Sequence, residues 1–202
     1  MLDLAVKHLP VSPVRKMSEM LEKCGEKHKI ITFGGGAPSL APPKEVLDFL
    51  SSEFKRDPHG ASCYGSTKGM PRVRELVSEL LKREEKVAID HEKEICLTEG
   101  GTEALFITFR TLLKHPDQIV LADPTYLAYY PQLNFLEDGI THLPAYVQED
   151  FQIDVNMLNE SITKRTKAVL VLSPDNPTGR LLDKEIVKGI VELCEDKKLW
   201  LI

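Results

Sequence analysis

Apolar positions along this chain recur at two spacings, and the change from one to the other divides it. Val14, Met17, Met20 and Leu21 fall three and four residues apart, which predicts an amphipathic helix ending at Cys24-Gly25. The short run Ile30-Ile31-Thr32-Phe33 then breaks into Gly34-Gly35-Gly36-Ala37-Pro38. A helix is expected after Pro42-Pro43, with Val46, Leu47 and Leu50 inward, because proline at a helix start removes only an N–H that has no partner there. Asp57-Pro58-His59-Gly60 reads as a loop, and Pro71 to Lys82 as a helix with Val73, Leu76, Val77, Leu80 and Leu81 along one side. From Glu94 the pattern becomes regular. Ile95 to Thr98 is predicted as a strand, Gly100-Gly101 as a turn and Thr102 to Lys114 as a helix. Ile119 to Ala122 follows as a strand, Tyr126 to Leu136 as a helix and Thr141 to Pro144 as a weaker strand. Asp154 to Ile162 is a short helix, Ala168 to Leu172 a buried strand and Asp183 to Asp196 a helix, with Leu199 to Ile202 starting another strand.

Strands that are apolar throughout and alternate with helices indicate an α/β fold, a mostly parallel sheet covered on both faces. Ligands in such sheets bind outside the carboxyl ends of the strands. A chain end inside the apolar run at Ile202 would set a carboxylate beside a buried sheet, so the chain is expected to continue as a longer protein.

Composition narrows the partners. Of 202 residues, 26 are Lys or Arg and 31 are Asp or Glu, a formal charge of −5 that argues against a broad grip on nucleic acid or anionic lipid. No apolar run approaches the roughly 20 residues that cross a bilayer, and the first residues lack a secretory pattern, so the expected location is cytoplasmic. Cys24, Cys63, Cys96 and Cys194 are too scattered for a disulfide framework, and Cys96 and Cys194 sit in apolar runs that predict core positions. The six histidines form no metal-ligand spacing.

Four loops carry candidate chemistry. Leu97-Thr98-Glu99-Gly100-Gly101-Thr102 runs from a strand into a helix; it is either a plain tight turn or a cradle whose first helical N–H groups take a phosphate. It is neither a dinucleotide fingerprint nor a Walker loop. Pro174-Asp175-Asn176-Pro177-Thr178-Gly179 is built of turn residues, yet it also holds the Asn176 amide between two prolines, where it can be aimed at little entropic cost. Tyr126, after Asp123-Pro124-Thr125, either packs or stacks on a flat heterocycle. Tyr64, in the glycine-flanked stretch before Pro71, is a surface residue or a hydroxyl donor to an anion.

Taken in order, these motifs resemble the class I/II aminotransferases among the fold type I pyridoxal-phosphate enzymes, from about Ser12 to Ile202. The resemblance implies a large cofactor-binding domain over residues 41–202, incomplete here, preceded by an N-terminal arm and small-domain segment over residues 1–40. It implies pyridoxal 5'-phosphate as cofactor and amino acid and 2-oxo acid substrates. Gly101 and Thr102 match the residues that bind the cofactor phosphate, Tyr126 the ring that stacks on the pyridine, and Asn176 the donor to the ring oxygen, next to the substrate. Tyr64 matches the tyrosine that reaches the phosphate of a neighbouring subunit, which implies a homodimer with shared sites. Gly36 matches the glycine beside the substrate carboxylate. Glu99 departs from the family's usual small residue near the phosphate.

The same resemblance implies a lysine that carries the cofactor, an aspartate on the pyridine nitrogen and an arginine on the substrate carboxylate, all beyond the residues given. None of the eighteen lysines has the required context, so the segment alone is expected to be inactive. The complete protein is expected to transfer amino groups. A carbon–sulfur lyase or aminocyclopropane-carboxylate-synthase-like enzyme uses similar loops, and a non-catalytic binding module remains the third reading.

Overall fold

A computed structural model of the chain describes residues 13–24, 36, 40–146 and 149–202. It divides into two compact units, one holding the described residues up to Glu99 and the other Gly100–Ile202. The predicted run at Ile30–Phe33 lies outside the described residues.

The first unit contains three helices, α1 (Pro13–Cys24), α2 (Lys44–Arg56) and α3 (Pro71–Glu84), with a 3₁₀ turn at Gly60–Ser62. Pro71 opens α3, and Lys82 and Arg83 close it, where cations offset the partial negative charge of the exposed carbonyls. The apolar stripes do not turn inward as their spacing predicts. Val46, Leu47 and Leu50 of α2 are exposed, as are Val73, Leu76 and Leu80 of α3, because within this unit no described element packs over them. The buried side chain of α3 is instead Arg74, at 3% exposure. Its guanidinium donates to Gly69 O and His91 O, and Ser78 Oγ donates to Ile89 O over 2.6 Å, so α3 is stitched to residues 89–91 by polar bonds. Ile95 to Thr98 is not a strand. Leu97 N–H donates to Lys68 O in a loop, and no β-ladder forms there among the described residues. Cys96 is accordingly exposed rather than in the core, whereas Cys194 is buried as expected.

The second unit begins with α4 (Gly100–Leu112) and continues with β1 (Gln118–Asp123), α5 (Tyr129–Leu133) running into a 3₁₀ turn at Asn134–Leu136, and β2 (Ile140–Pro144). Then come α6 (Val155–Ser161), β3 (Thr166–Leu170), α7 (Lys184–Lys197) and β4 (Trp200–Leu201). The four strands form one parallel sheet in the order β2-β1-β3-β4, with Ile119 opposite Ile140 and Ala168, and Val169 opposite Leu201. Alternation along the strands fills both faces. Ile119, Leu121, Ala168 and Leu170 pack with Phe109, Leu113, Tyr129, Leu133 and Leu136. Val120, Ala122, Leu143 and Val169 point the other way, toward Ile153, Leu158, Ile190 and Cys194. Each fully buried large side chain contributes about 1.5–3 kcal/mol through removal from water, which makes this double layer the main source of stability in the unit.

Local chemistry explains the boundaries that differ from expectation. The helix predicted from Tyr126 starts three residues later, because Pro131 has no N–H for Leu127 O and is tolerated only in the first turn. Tyr126 to Ala128 form a turn closed by Tyr129 N–H on Tyr126 O, 3.1 Å. Gly100 and Gly101 belong to the first turn of α4 rather than to a turn before it. No helix among the described residues is long and apolar enough to cross a membrane.

Candidate cofactor site

Strand order locates the site. In sequence the sheet grows from β1 to β2 on one side, then crosses back to β3 on the other, so the winding reverses between β1 and β3. Crossovers that leave in opposite directions open a crevice at the carboxyl ends of those two strands. The segments that emerge there are Pro124–Ala128 after β1 and Val171–Gly179 after β3. Helix α4 leads into β1 through only residues 113–117, so it runs back along the sheet and its first turn lies toward the same edge.

After β1 the chain buries Thr125 and leaves Tyr126 37% exposed. The Tyr126 ring stands edge-on to Tyr129, with centroids 5.4 Å apart, and Tyr129 stands edge-on to Phe109 of α4 at 6.4 Å. Edge-to-face contacts of this kind fix the orientation of a ring while covering at most one of its π faces. Burial pushes the Tyr129 hydroxyl above its ordinary pKa, and the negative charge of Asp175 and then Tyr126 add to that, so it is a neutral hydroxyl at physiological pH.

After β3 the turn is closed by its own side chains. Asp175 Oδ2 accepts from Thr178 Oγ1 at 2.7 Å and from its N–H at 3.4 Å, while Gly179 N–H donates to Asp175 O and Asp175 N–H to Arg180 O, each at 2.9 Å. Gly179 has φ +72°, a conformation that suits glycine at the exit of this turn. Asp175 and Arg180 are buried, and Asn176, between them in sequence, is exposed.

At the start of α4, Gly100 has φ +80°, and a Cβ built on Gly101 would meet nothing within 4 Å. Gly101 and Thr102 are exposed, and the start of a helix is where backbone N–H groups can take an anion. Tyr64 and Gly36 belong to the other unit, and both are exposed.

The second unit holds four of the six sequence-selected residues: Gly101 and Thr102 open α4, and Tyr126 and Asn176 follow the neighbouring strands β1 and β3. These residues fit a phosphorylated heteroaromatic such as pyridoxal phosphate: an open glycine-started helix terminus for the phosphate, an exposed ring for the heterocycle and an exposed amide for a ring oxygen. Sequence reading missed Tyr129, Asp175 and Arg180. Their signal was opposite charges five residues apart bracketing the turn, and a second tyrosine three residues past the first.

Known proteins share the sequence pattern and the fold. A sequence model described as "Aminotransferase class I and II" matches residues 28–202. A probable aspartate aminotransferase of Methanocaldococcus jannaschii is 33% identical over 172 residues, covering 85% of this chain and 44% of that protein. A probable aspartate/prephenate aminotransferase of Aquifex aeolicus is 30% identical, covering 98% of this chain and 49% of that protein. Among solved structures, the aspartate aminotransferase of Thermus thermophilus with maleate superposes with a TM-score of 0.90 at 26% identity, covering 100% of this chain and 52% of that one. An alanine aminotransferase from Pyrococcus furiosus gives 0.86 at 28% identity, covering 100% of this chain and 51% of that one. The chain spans about half the length of these relatives.

Proposed function

We propose a function from one premise: this chain belongs to the class I and II aminotransferase family. The complete protein is a pyridoxal-phosphate-dependent aminotransferase that moves an amino group from an amino acid to a 2-oxo acid, and it works in the cytosol as a homodimer. What carries the reading is the reversal of winding between β1 and β3, which puts the exposed Tyr126 ring and the exposed Asn176 amide on loops from neighbouring strands. Relatives are named for aspartate, aspartate/prephenate and alanine, so short and acidic amino donors come first in an assay.

The bound cofactor supplies an electron sink for charge that develops at the α-carbon of the amino acid. The chain's own residues hold and orient. Backbone N–H groups at Gly101 and Thr102 take the phosphate, aided by the dipole of α4. Tyr126 stacks on the heterocycle and excludes water from one face, while the Asn176 amide donates to the ring oxygen and favours its anionic form. Tyr64 donates its hydroxyl to the phosphate in the partner subunit, and Gly36 lets backbone approach the substrate carboxylate because it carries no side chain.

The test is Tyr126→Ala and Asn176→Ala in the full-length protein. A stacking contact is worth about 0.5–1.5 kcal/mol. A hydrogen bond to a charged group is worth about 1.5–3 kcal/mol. Cofactor affinity or kcat/KM is therefore expected to fall by roughly 3- to 10-fold for Tyr126→Ala and by tenfold or more for Asn176→Ala. Wild-type cofactor retention and turnover in both variants would overturn the assignment.

A further inference from the structure

The buried pair Asp175–Arg180 has no part in the roles assigned so far. Both side chains are 1% exposed, with Nη2 3.4 Å from Oδ1. Its geometry is poor for stability. Among the described residues, neither Asp175 Oδ1 nor Arg180 Nε has a hydrogen-bond partner, and burial pulls the guanidinium pKa below its ordinary value despite the neighbouring carboxylate. Buried ion pairs with unsatisfied atoms recover their desolvation cost incompletely, and an apolar replacement is often as stable. Stability alone does not account for the pair.

Its connections do. Arg180 is tied to the body of the sheet unit: Nη1 donates to Phe151 O, and Nη2 to Leu172 O at 3.4 Å, just past the end of β3. Asp175, held by Arg180, clamps the turn with its other oxygen through Thr178 at 2.7 Å, which leaves only Asn176 and Pro177 between the clamped residues. One buried pair therefore ties the Asn176 turn to the body of the sheet unit.

We infer that the Asp175–Arg180 pair is a positioning device that ties the Asn176 turn to the body of the sheet unit, so that the Arg180 guanidinium, acting through Asp175, sets how the amide meets the cofactor ring. This rests on the cofactor reading above. If it holds, removing the guanidinium weakens the Asn176 bond to the ring oxygen, although the guanidinium's own bonds go to Asp175, Phe151 and Leu172.

The experiment uses the full-length protein with Arg180→Met, the charge-free double variant Asp175→Asn/Arg180→Met, and Asn176→Ala as reference. The double variant guards against misfolding, since its Asn still accepts from Thr178 and no lone charge is buried. Two readouts are taken: the pH midpoint of the bound cofactor's absorbance change, and amide hydrogen exchange of the cofactor-free protein. Loss of a donor to an anionic oxygen raises the midpoint, so a shift of about half a pH unit or more, in the direction of Asn176→Ala, is expected in Arg180→Met and the double variant. Exchange should rise by about tenfold at Asn176–Gly179, with the sheet amides of β1 unchanged. The inference is overturned if Asn176→Ala moves the midpoint while the folded Arg180 variants do not, or if exchange at Asn176–Gly179 stays at the wild-type rate in them. If Asn176→Ala itself moves nothing, the cofactor reading fails, and the exchange pattern still decides whether the pair holds the turn.

Discussion

Gly139, one residue before β2, offers a sharp test of how tightly the sheet unit is built. A Cβ there would stand 2.5 Å from Asp117 O, 2.7 Å from Leu136 Cβ and 3.1 Å from Leu136 O. Neither the glycine nor its walls can retreat. Gly139 O accepts from Ile119 N–H at 2.8 Å at the start of the β1–β2 ladder, and Gly139 N–H donates to Leu136 O at 3.0 Å. Asp117 is held by Lys114 O at 2.7 Å, and Leu136 is fully buried. Relief requires moving backbone, so the cost lies at the upper end of the overpacking range, about 3 kcal/mol. Strain on the Ile119 bond adds up to about 1 kcal/mol. The less flexible unfolded chain of the alanine variant returns about 0.4–1 kcal/mol. Gly139→Ala in the full-length protein is therefore expected to lose about 3 kcal/mol in urea unfolding followed by circular dichroism, at unchanged m. Gly189→Ala is the matched control. Its Cβ would meet only Val155 methyls at 3.2 and 3.4 Å, and alanine gains about 1 kcal/mol over glycine inside a helix, so it should stay within about 1 kcal/mol of wild type. The steric argument is wrong if Gly139→Ala proves no less stable than Gly189→Ala.

Two further outcomes are expected. Asp154 caps α6 by accepting from Asn156 N–H at 2.7 Å and Met157 N–H at 3.2 Å, so Asp154→Ala should cost about 1 kcal/mol, and Asp154→Asn much less, in the same unfolding assay. Asp138 is hydrogen-bonded by Arg165 at 3.1 Å, which holds its carboxyl below its usual pKa of 3.8, first through that bond and then through charge. A depressed folded pKa means that its contribution to stability is full above the ordinary carboxylate range and fades as pH falls through the lower value. An NMR titration should put the Asp138 midpoint below that of Asp138 in an Arg165→Ala variant, and equal midpoints would remove the link.

The parts of the fold that the sequence made legible are those where one face or two must be dry. Ile119–Ala122 and Ala168–Leu172 announced a doubly covered sheet because every position is apolar. The helices of the first unit were found, but not their inward faces: periodicity identifies an amphipathic helix without saying what covers it, and in α3 the buried group is Arg74. Ile95–Thr98 misled because an apolar run becomes a strand only where another strand supplies the ladder. Of the candidate site, the sequence offered Gly101, Thr102, Tyr126 and Asn176, whose exposure on their loops suits the roles proposed for them. Asp175 and Arg180 stayed hidden, since opposite charges at a turn read as solvated surface until packing shows them inside.

The parallel ladder between β1 and β3 also acts as a ruler. Both candidate-site loops leave the sheet from adjacent strands, and adjacent strands are held about 4.8 Å apart by backbone hydrogen bonds whatever their side chains. The interval between the two loop origins is thus inherited from peptide geometry, not tuned by the core around it. Substitutions in the two apolar layers draw down the folded population well before they alter that interval. Molecules that remain folded then keep a correctly dimensioned site, and such variants fail by becoming scarce rather than by becoming poor.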